Sequence, residues 1–298
     1  MAVADISTPT KVTMQDYKSE QKSTWCAGCG DYGILSSVQM ALVALNIPPH
    51  RALIVSGIGC GSKLPDYMNV NGFLTLHGRA LPCLTGAHLA NHELVAIAVT
   101  GDGDGYGIGG NHFMHAMRRN INILHIAENN QTYGLTKGQY SPTTDKGMIT
   151  STSPEGAIEY AVNPITWALA AGATFVARGF SNDPKRLGAI IQAGIKHKGY
   201  ALIDILQPCV TYNKLNTGDW YKERIYYVDE KSDYDPKDAI KAFSIGLQWG
   251  DKIPCGIIYQ IQKDTYEDQL FQIKEKPLVD HPLKPKAEDF EKIKSRYY

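Results

Sequence analysis

The sequence predicts a doubly wound α/β protein with a mostly parallel sheet. Short apolar runs rich in β-branched residues alternate along the chain with stretches at helical spacing. The runs are apolar at nearly every position, which is typical of parallel strands covered on both faces. Most of them lead into turns rich in Gly, Asn or Asp. The predicted strands are 52–55, 94–99, 121–127, 174–177 and 201–206.

Three helices are predicted before and between these strands. Residues 34–45 carry apolar side chains at helical spacing. Asn163 followed by Pro164 opens the second helix. Asn182-Asp183-Pro184 opens the third, with Asn182 or Asp183 as the cap. Asn and Asp accept the free N–H groups of a first helical turn, and proline fits its first position because it has no N–H to leave unpaired.

The composition changes after about Tyr212, where Lys, Asp, Tyr and Pro become frequent. A further helix is predicted over 235–249, with Asp235 as its cap and Pro236 in its first turn, and a further strand over 253–261. We therefore expect a C-terminal extension that contacts a partner. The expected division is an N-terminal arm over 1–24, an α/β domain over 25–215 and an extension over 216–298.

Charge and composition exclude several classes of protein. Thirty Lys and Arg residues balance thirty Asp and Glu residues, so neither nucleic acid nor a membrane surface is an expected partner. The apolar runs are much shorter than a membrane span, and the first residues lack the pattern of a signal peptide. Six scattered cysteines do not form a disulfide scaffold, so we expect a reducing cytoplasmic location.

Ligand-binding residues follow two of the predicted strands. The motif V-T-G-D-G-D-G-Y-G-I-G-G-N-H comes directly after one strand, and Asn129-Asn130 follows the next. Magnesium prefers oxygen ligands and often completes them with phosphate. A carboxylate, an amide and a backbone carbonyl would leave room for a diphosphate, and the glycines and the following helix N-terminus favour an anion.

Two other interpretations of this glycine-rich turn are weaker. A dinucleotide-binding loop needs a different glycine spacing from that of residues 105–109. A calcium loop could begin with Asp102 and Asp104, but no bidentate Glu follows at the required position. We therefore favour the diphosphate and magnesium interpretation.

Four cysteines lie in turns that are rich in glycine or proline and would suit an iron–sulfur cluster. They are Cys26, Cys29, Cys60 and Cys209. The C-A-G-C pair could instead be a thioredoxin-like redox pair, but no strand precedes it. It could be half of a zinc site, but a second paired motif is missing. Buried core thiols are the remaining alternative, which we accept for Cys83 and Cys255.

Together these motifs resemble the β subunit of 2-oxoacid:ferredoxin oxidoreductases. The resemblance runs from Trp25 to about Thr211 and rests on W-C-A-G-C-G, I-G-C-G-S-K, L-H-G-R, the G-D-G-D turn, N-N-Q-T-Y-G-L-T and Q-P-C. It implies the thiamine diphosphate-binding fold. It also implies three cofactors: the diphosphate half of thiamine diphosphate, Mg²⁺ and one [4Fe–4S] cluster.

The resemblance also assigns site residues. Magnesium would be bound by Asp102, Asn130 and the carbonyl of Thr132, and the cluster by the four cysteines named above. The expected cofactor contacts are Ile58, Gly59, Cys60, Gly61, His77, Gly103, Asp104, Gly134 and Leu135. Lys63, His77 and Leu135 are the candidate catalytic residues. One departure stands out, because the family often has Ser where this chain has Gly61.

The implied reaction is oxidative decarboxylation of a 2-oxo acid to an acyl-coenzyme A and CO2, with electrons passing through the cluster to ferredoxin. A separate α subunit would supply a pyrimidine-binding domain with its Glu, and most of the coenzyme A site. Lys63 favours 2-oxoglutarate over pyruvate, because its ammonium could pair with a second carboxylate; an ordinary exposed lysine is the alternative. A thiamine-dependent decarboxylase without electron transfer and a non-catalytic electron-transfer subunit remain alternatives.

Overall fold

The computed structural model describes residues 11–282, 284 and 286–297. The strands are β1 Ala52–Ser56, β2 Asn71–Leu74, β3 Val95–Gly101, β4 Leu124–Asn129, β5 Thr132–Tyr133, β6 Gln139–Tyr140, β7 Phe175–Phe180, β8 Ala201–Leu206, β9 Ile225–Tyr227 and β10 Ile253–Gln260. The helices are α1 Asp31–Ala44, α2 Ala80–Ala90, α3 Gly110–Arg119, α4 Pro164–Ala170, α5 Pro184–Lys196, α6 Gly218–Lys222, α7 Ala239–Gly246 and α8 Ala287–Lys294. Within the described part of the chain, no helix has the length and apolarity to cross a membrane.

Eight strands form one sheet in the order β2-β1-β3-β4-β8-β7-β10-β9. All neighbouring strands pair in parallel except β7 and β10, which are antiparallel to each other. The short strands β5 and β6 form a separate antiparallel pair. The doubly wound, mostly parallel sheet predicted from the sequence is therefore confirmed, and the five predicted strands of the α/β domain correspond to β1, β3, β4, β7 and β8.

Two hydrophobic cores cover the two faces of the sheet. On one face, α1 and α5 pack on the strands, and Ile97 of β3 lies in that core. On the other face, α2, α3 and α4 pack on the strands, and Ala98, the next residue of β3, lies in that second core. Successive side chains of a strand point to opposite faces, so a central strand buried on both sides must be apolar at nearly every position. This explains the continuous apolar runs in the sequence.

The predicted starts of α4 and α5 are confirmed by their caps. The Asn163 side chain accepts hydrogen bonds from the N–H groups of Ile165 and Thr166. The Asp183 side chain accepts from Arg186 N–H at 3.2 Å. In both helices proline follows the cap directly, as expected for a residue that needs no N–H partner.

The predicted start of α7 is wrong. The helix begins at Ala239, and Asp238 rather than Asp235 accepts its first free N–H groups, at 3.0 Å. Asp235 instead accepts the N–H of Lys237 at 2.9 Å, in a turn before the helix. Two aspartates three residues apart offer the same local cap, and the chain uses the second.

The main sheet crosses the boundary that composition predicts at residue 215. The predicted strand over 253–261 forms as β10, pairs with β7 and carries β9 at the outer edge. The polar composition of this region reflects strands and helices at the edge of the sheet, where one side meets solvent. At the other end of the chain, Tyr17 is buried and its hydroxyl donates to the Ile47 carbonyl at 2.5 Å, so the described part of the N-terminal arm lies against α1 and the loop after it.

A buried ion pair joins β7 to β8 and gives a test of the sheet. Arg178 Nε lies 3.0 Å from Asp204 Oδ2, and both side chains are almost completely buried. We expect Asp204→Ala to lower the free energy of unfolding by about 3–5 kcal/mol, because it leaves a buried guanidinium without its carboxylate. Urea unfolding checks this. As a control, Glu93→Ala removes the exposed partner of Arg51 and should cost at most about 1 kcal/mol. Similar losses in the two variants would contradict the buried pair's importance.

Candidate active site

The turns that follow β1, β3 and β4 surround one pocket that is open to solvent. These strands are neighbours in the sheet and run in parallel, so their carboxyl ends meet at one edge. The structure brings together at this pocket every residue predicted to contact the cofactor or magnesium. They are Ile58, Gly59, Cys60, Gly61, His77, Asp102, Gly103, Asp104, Asn130, Thr132, Gly134 and Leu135.

Two hydroxyl groups hold the carboxylate of Asp102. Its Oδ2 accepts hydrogen bonds from Ser141 and, at 2.6 Å, from Thr143. Burial raises the pKa of Asp102 to about 6, against the opposing effect of these bonds. Thr143 Oγ1 also lies 2.8 Å from Asn129 Oδ1, so the same hydroxyl links the ends of β3 and β4. The carboxylate is thus oriented by groups that lie well beyond its own turn in sequence.

The Asn129-Asn130 turn is fixed by its backbone shape. Gln131 has a φ of 58°, in the left-handed region, which reverses the chain direction after Asn130. The Gln131 side chain is anchored, because its Nε2 donates to the Thr143 carbonyl at 2.7 Å. Asn213 Nδ2 donates to the Asn130 carbonyl at 3.1 Å. Asn130 and Thr132 are therefore held at the pocket by contacts on both sides.

Asp104 connects two loops of the pocket. Its Oδ1 accepts from the N–H groups of Ile58 at 3.1 Å and Gly78 at 2.7 Å, and His77 Nδ1 lies 2.7 Å away. Burial raises the pKa of this carboxyl, while the backbone hydrogen bonds act in the opposite direction. Its geometry therefore fixes the loops that carry Ile58 and His77, in addition to lining the pocket.

Gly103 is required by a close approach. A Cβ atom at this position would lie 2.2 Å from a ring carbon of Tyr133. The Tyr133 hydroxyl donates to the Gly103 carbonyl at 3.0 Å, so ring and turn are held in contact. Any side chain at residue 103 must displace the Tyr133 ring from the pocket wall.

Cys26, Cys29, Cys60 and Cys209 line a second pocket that is also open to solvent. It shares Cys60, Asn130, Gly134 and Leu135 with the first pocket. A Cβ atom on Gly134 would lie 3.8 Å from the sulfurs of both Cys60 and Cys209, so these two sulfurs face the same backbone position. The structure therefore places the predicted sulfur ligands beside the predicted diphosphate site.

Polar groups surround the sulfurs. Thr211 Oγ1 lies 3.1 Å from Cys26 Sγ, and Gln207 Nε2 donates to Cys29 Sγ at 3.3 Å. Burial is the main cause that raises the pKa of Cys60 to about 11 and raises that of Cys29 as well. Among the described residues, no three His, Cys, Asp or Glu side chains meet the geometry for a single metal ion. A [4Fe–4S] cluster is held by four thiolates on separate irons, so its ligands need not converge on one point.

The three candidate catalytic residues lie in different parts of this region. Lys63 lines the cysteine pocket, and its ammonium donates to Thr24 Oγ1 at 2.9 Å. His77 is half-buried at the diphosphate-side pocket. Leu135 is 48% exposed and lines both pockets. Leu135 is therefore an exposed apolar side chain at the border between the two pockets.

Several residues of the site were not predicted from the sequence. They are Glu128, Tyr133, Ser141, Thr143 and Asn213. Ser141 and Thr143 lie in the run S-P-T-T after the N-N turn, but no local pattern in this run shows that its hydroxyl groups return to the site. Glu128 directly precedes Asn129-Asn130 and is the penultimate residue of β4, so its position alone could have placed it at the same sheet edge. No local signal points to Asn213.

Two family descriptions match the chain. "Thiamine pyrophosphate enzyme, C-terminal TPP binding domain" matches residues 57–205, and the C-terminal region of the pyruvate ferredoxin oxidoreductase β subunit matches residues 209–275. The first range contains every residue that lines the diphosphate-side pocket. Fold and site therefore define a thiamine diphosphate-binding domain.

Curated relatives extend this match over most of the chain. The β subunit of 2-oxoacid:ferredoxin oxidoreductase 1 from Aeropyrum pernix is 45% identical over 276 residues, which covers 89% of this chain and 87% of the relative. The 2-oxoglutarate synthase subunit KorB of Methanocaldococcus jannaschii is 37% identical, covering 85% of this chain and 93% of the relative. The chain belongs to the family of 2-oxoacid:ferredoxin oxidoreductase β subunits.

A solved structure agrees with the fold. It is a 2-oxoglutarate:ferredoxin oxidoreductase from Magnetococcus marinus with 2-oxoglutarate, coenzyme A and succinyl-CoA bound. Its matched chain is 35% identical to this one. The superposition covers 98% of this chain and 99% of that chain, with a TM-score of 0.89. The predicted thiamine diphosphate-binding fold is confirmed.

The contact between Gly103 and Tyr133 predicts the effect of one methyl group. We expect Gly103→Ala to weaken thiamine diphosphate binding about tenfold or more, a loss of about 1.4 kcal/mol, because the added carbon displaces the Tyr133 ring. Isothermal calorimetry with thiamine diphosphate and Mg²⁺ measures this. Gly86→Ala is the control, since its added carbon meets nothing within 4 Å and Gly86 lines neither pocket. Unchanged affinity in Gly103→Ala would contradict the assignment.

Proposed function

We propose that this subunit takes part in the oxidative decarboxylation of 2-oxoglutarate to succinyl-CoA and CO2, with electrons leaving through a [4Fe–4S] cluster to ferredoxin. The observation that carries the proposal is the wall common to the two pockets, formed by Cys60, Asn130, Gly134 and Leu135. A cofactor at one side of this wall and a cluster at the other would be close neighbours. A decarboxylase without electron transfer has no use for the second pocket.

The residues at the first pocket fit a magnesium diphosphate. Asp102 offers a carboxylate, Asn130 a side-chain amide and Thr132 a backbone carbonyl, which are the hard oxygen ligands that Mg²⁺ prefers. The remaining ligand positions suit phosphate oxygens and water. Thiamine diphosphate, when bound, supplies the stabilisation of a carbanion that loss of CO2 requires. The chain's own residues bind and orient it.

The residues at the second pocket fit an iron–sulfur cluster. Cys26, Cys29, Cys60 and Cys209 all line it, and no acidic side chain is part of this described lining. Raised thiol pKa values, as at Cys60, mean that an unligated sulfur keeps its proton and that cluster binding must displace it. Donors such as Thr211 and Gln207 would stabilise negative sulfur. These features support a ligand set of four thiolates.

A partner subunit would complete the site. Both pockets are open to solvent. Exposed apolar side chains lie in the loops that border the diphosphate side, including Leu76 at 77% exposure and Ile108 at 59%. We infer that this region is covered by an α subunit, which supplies a pyrimidine-binding domain with its Glu and contributes most of the coenzyme A site. The β-subunit family assignment supports a multi-subunit enzyme.

Cysteine replacement tests the cluster. In the complex purified without oxygen, Cys60→Ser and Cys209→Ser should each lose most of the bound iron and the visible absorption, because a serine oxygen replaces a thiolate poorly. Iron analysis and visible spectroscopy measure both. Cys83→Ser is the matched control, since Cys83 lies outside both pockets and packs at the core around α2. Iron-free wild-type protein, or equal loss in the control, would refute the cluster assignment.

Lys63 tests the substrate. Its ammonium lines the cysteine pocket together with Leu135 and could pair with the distal carboxylate of 2-oxoglutarate. A hydrogen bond to a charged group contributes about 1.5–3 kcal/mol, so Lys63→Ala should lower kcat/KM for 2-oxoglutarate about tenfold to a hundredfold. The value for pyruvate should change much less. The exposed Lys22→Ala is the control. Equal losses with the two substrates would favour pyruvate or a purely structural lysine.

A further inference from the structure

Glu128 occupies the space in which a side chain at residue 61 would lie. A Cβ atom built on Gly61 would be 1.5 Å from Glu128 Oε2 and 2.4 Å from its Cδ. Glu128 is 1% exposed and lies in the last part of β4, so it cannot swing into solvent. Residue 61 must therefore be glycine as long as the Glu128 carboxyl group fills this space.

The carboxyl group of Glu128 lies beside a residue that both pockets share. Glu128 lines the diphosphate-side pocket, together with Gly61. Gly61 directly follows Cys60, which lines both pockets. Neither carboxyl oxygen of Glu128 has a hydrogen-bond partner among the described residues. The group is therefore held at this place by packing against the turn that carries Cys60 and Gly61.

This arrangement differs from that of the neighbouring carboxylate. Asp104 fills the space beside Gly57, where a Cβ atom would lie 1.7 Å from its Oδ2, but its other oxygen accepts two backbone N–H groups. Glu128 accepts no backbone hydrogen bond within the described part of the chain. A buried polar group with so few partners is costly and needs another reason to be present. That reason is the position that the Glu128 side chain gives to its neighbours.

We propose that Glu128 is a positioning residue of the active site, whose carboxyl group takes the place of a side chain at residue 61 and so holds the turn of Cys60, a residue of both pockets. The inference rests on the proposed binding of thiamine diphosphate and the cluster. It deepens that function by assigning to one side chain the position of a turn that both sites share. Glu128→Gln keeps the size of the side chain, whereas Glu128→Ala removes the volume that fills the space beside Gly61.

A double-mutant cycle in the complex tests the proposal. Thiamine diphosphate affinity is measured by calorimetry, and the cluster's midpoint potential by redox titration. Gly61→Ser should weaken binding about tenfold or more, since its side chain collides with Glu128, and Gly61→Ser combined with Glu128→Ala should recover most of that loss. Glu128→Ala alone should weaken binding and shift the potential, and Glu128→Gln should leave both close to the wild-type values.

Gly57→Ser provides the matched control, because its collision is with Asp104 and adding Glu128→Ala should not rescue it. Circular dichroism checks folding, and if Gly61→Ser does not fold, the comparison of Glu128→Ala with Glu128→Gln decides alone. Additive losses in the cycle, or normal affinity and potential in Glu128→Ala, would overturn the inference. Wild-type complex that binds neither cofactor would instead refute the proposed function on which it rests.

Discussion

The parallel pairing of β1, β3, β4 and β8 is the constraint on which the site depends. These four strands are consecutive neighbours in the sheet, although β5, β6 and β7 lie between β4 and β8 in sequence. Parallel strands place their carboxyl ends at one edge, so the turns with Cys60, Asp102, Asn130 and Cys209 must meet there. The arrangement of the pockets is therefore a consequence of topology before any side chain is considered.

Burial of acidic groups is the main cost of this arrangement, and the chain offsets it at two of the three acids. Asp102 is held by hydroxyls and Asp104 by backbone N–H groups. Burial raises the pKa of Asp102, Asp104 and Glu128. A nearby cation stabilises a carboxylate more than neutral donors do, so Mg²⁺ would offset the cost most directly at Asp102. Among the described residues, no hydrogen-bond donor reaches the carboxyl group of Glu128.

Periodicity and local chemistry were sufficient to predict the central strands, the helix starts at Asn163 and Asp183 and the turns that carry Cys60, Asp102 and Asn130. Those features depend on neighbours in sequence or on the rule that ligands meet parallel strand ends. The individual cofactor contacts were predicted from the resemblance to a known family. The positions of Ser141, Thr143 and Asn213 depend on loops that return to the site, and no short-range pattern encodes that return. For the same reason, the change in composition assigned β10 to a separate extension, although β10 joins the main sheet by pairing with β7.

The common wall of the pockets sets a geometric limit on the reaction. Gly134 has no side chain between the sulfurs of Cys60 and Cys209 and the diphosphate-side pocket, so only backbone separates the two there. Leu135 follows directly and is half exposed, which leaves an apolar surface at the point where both pockets open. A reacting group placed against Leu135 is thus held near the sulfurs, while Lys63 supplies the positive charge at the cysteine side. In the proposed reaction, substrate position and electron transfer would therefore depend on the same few residues of this wall.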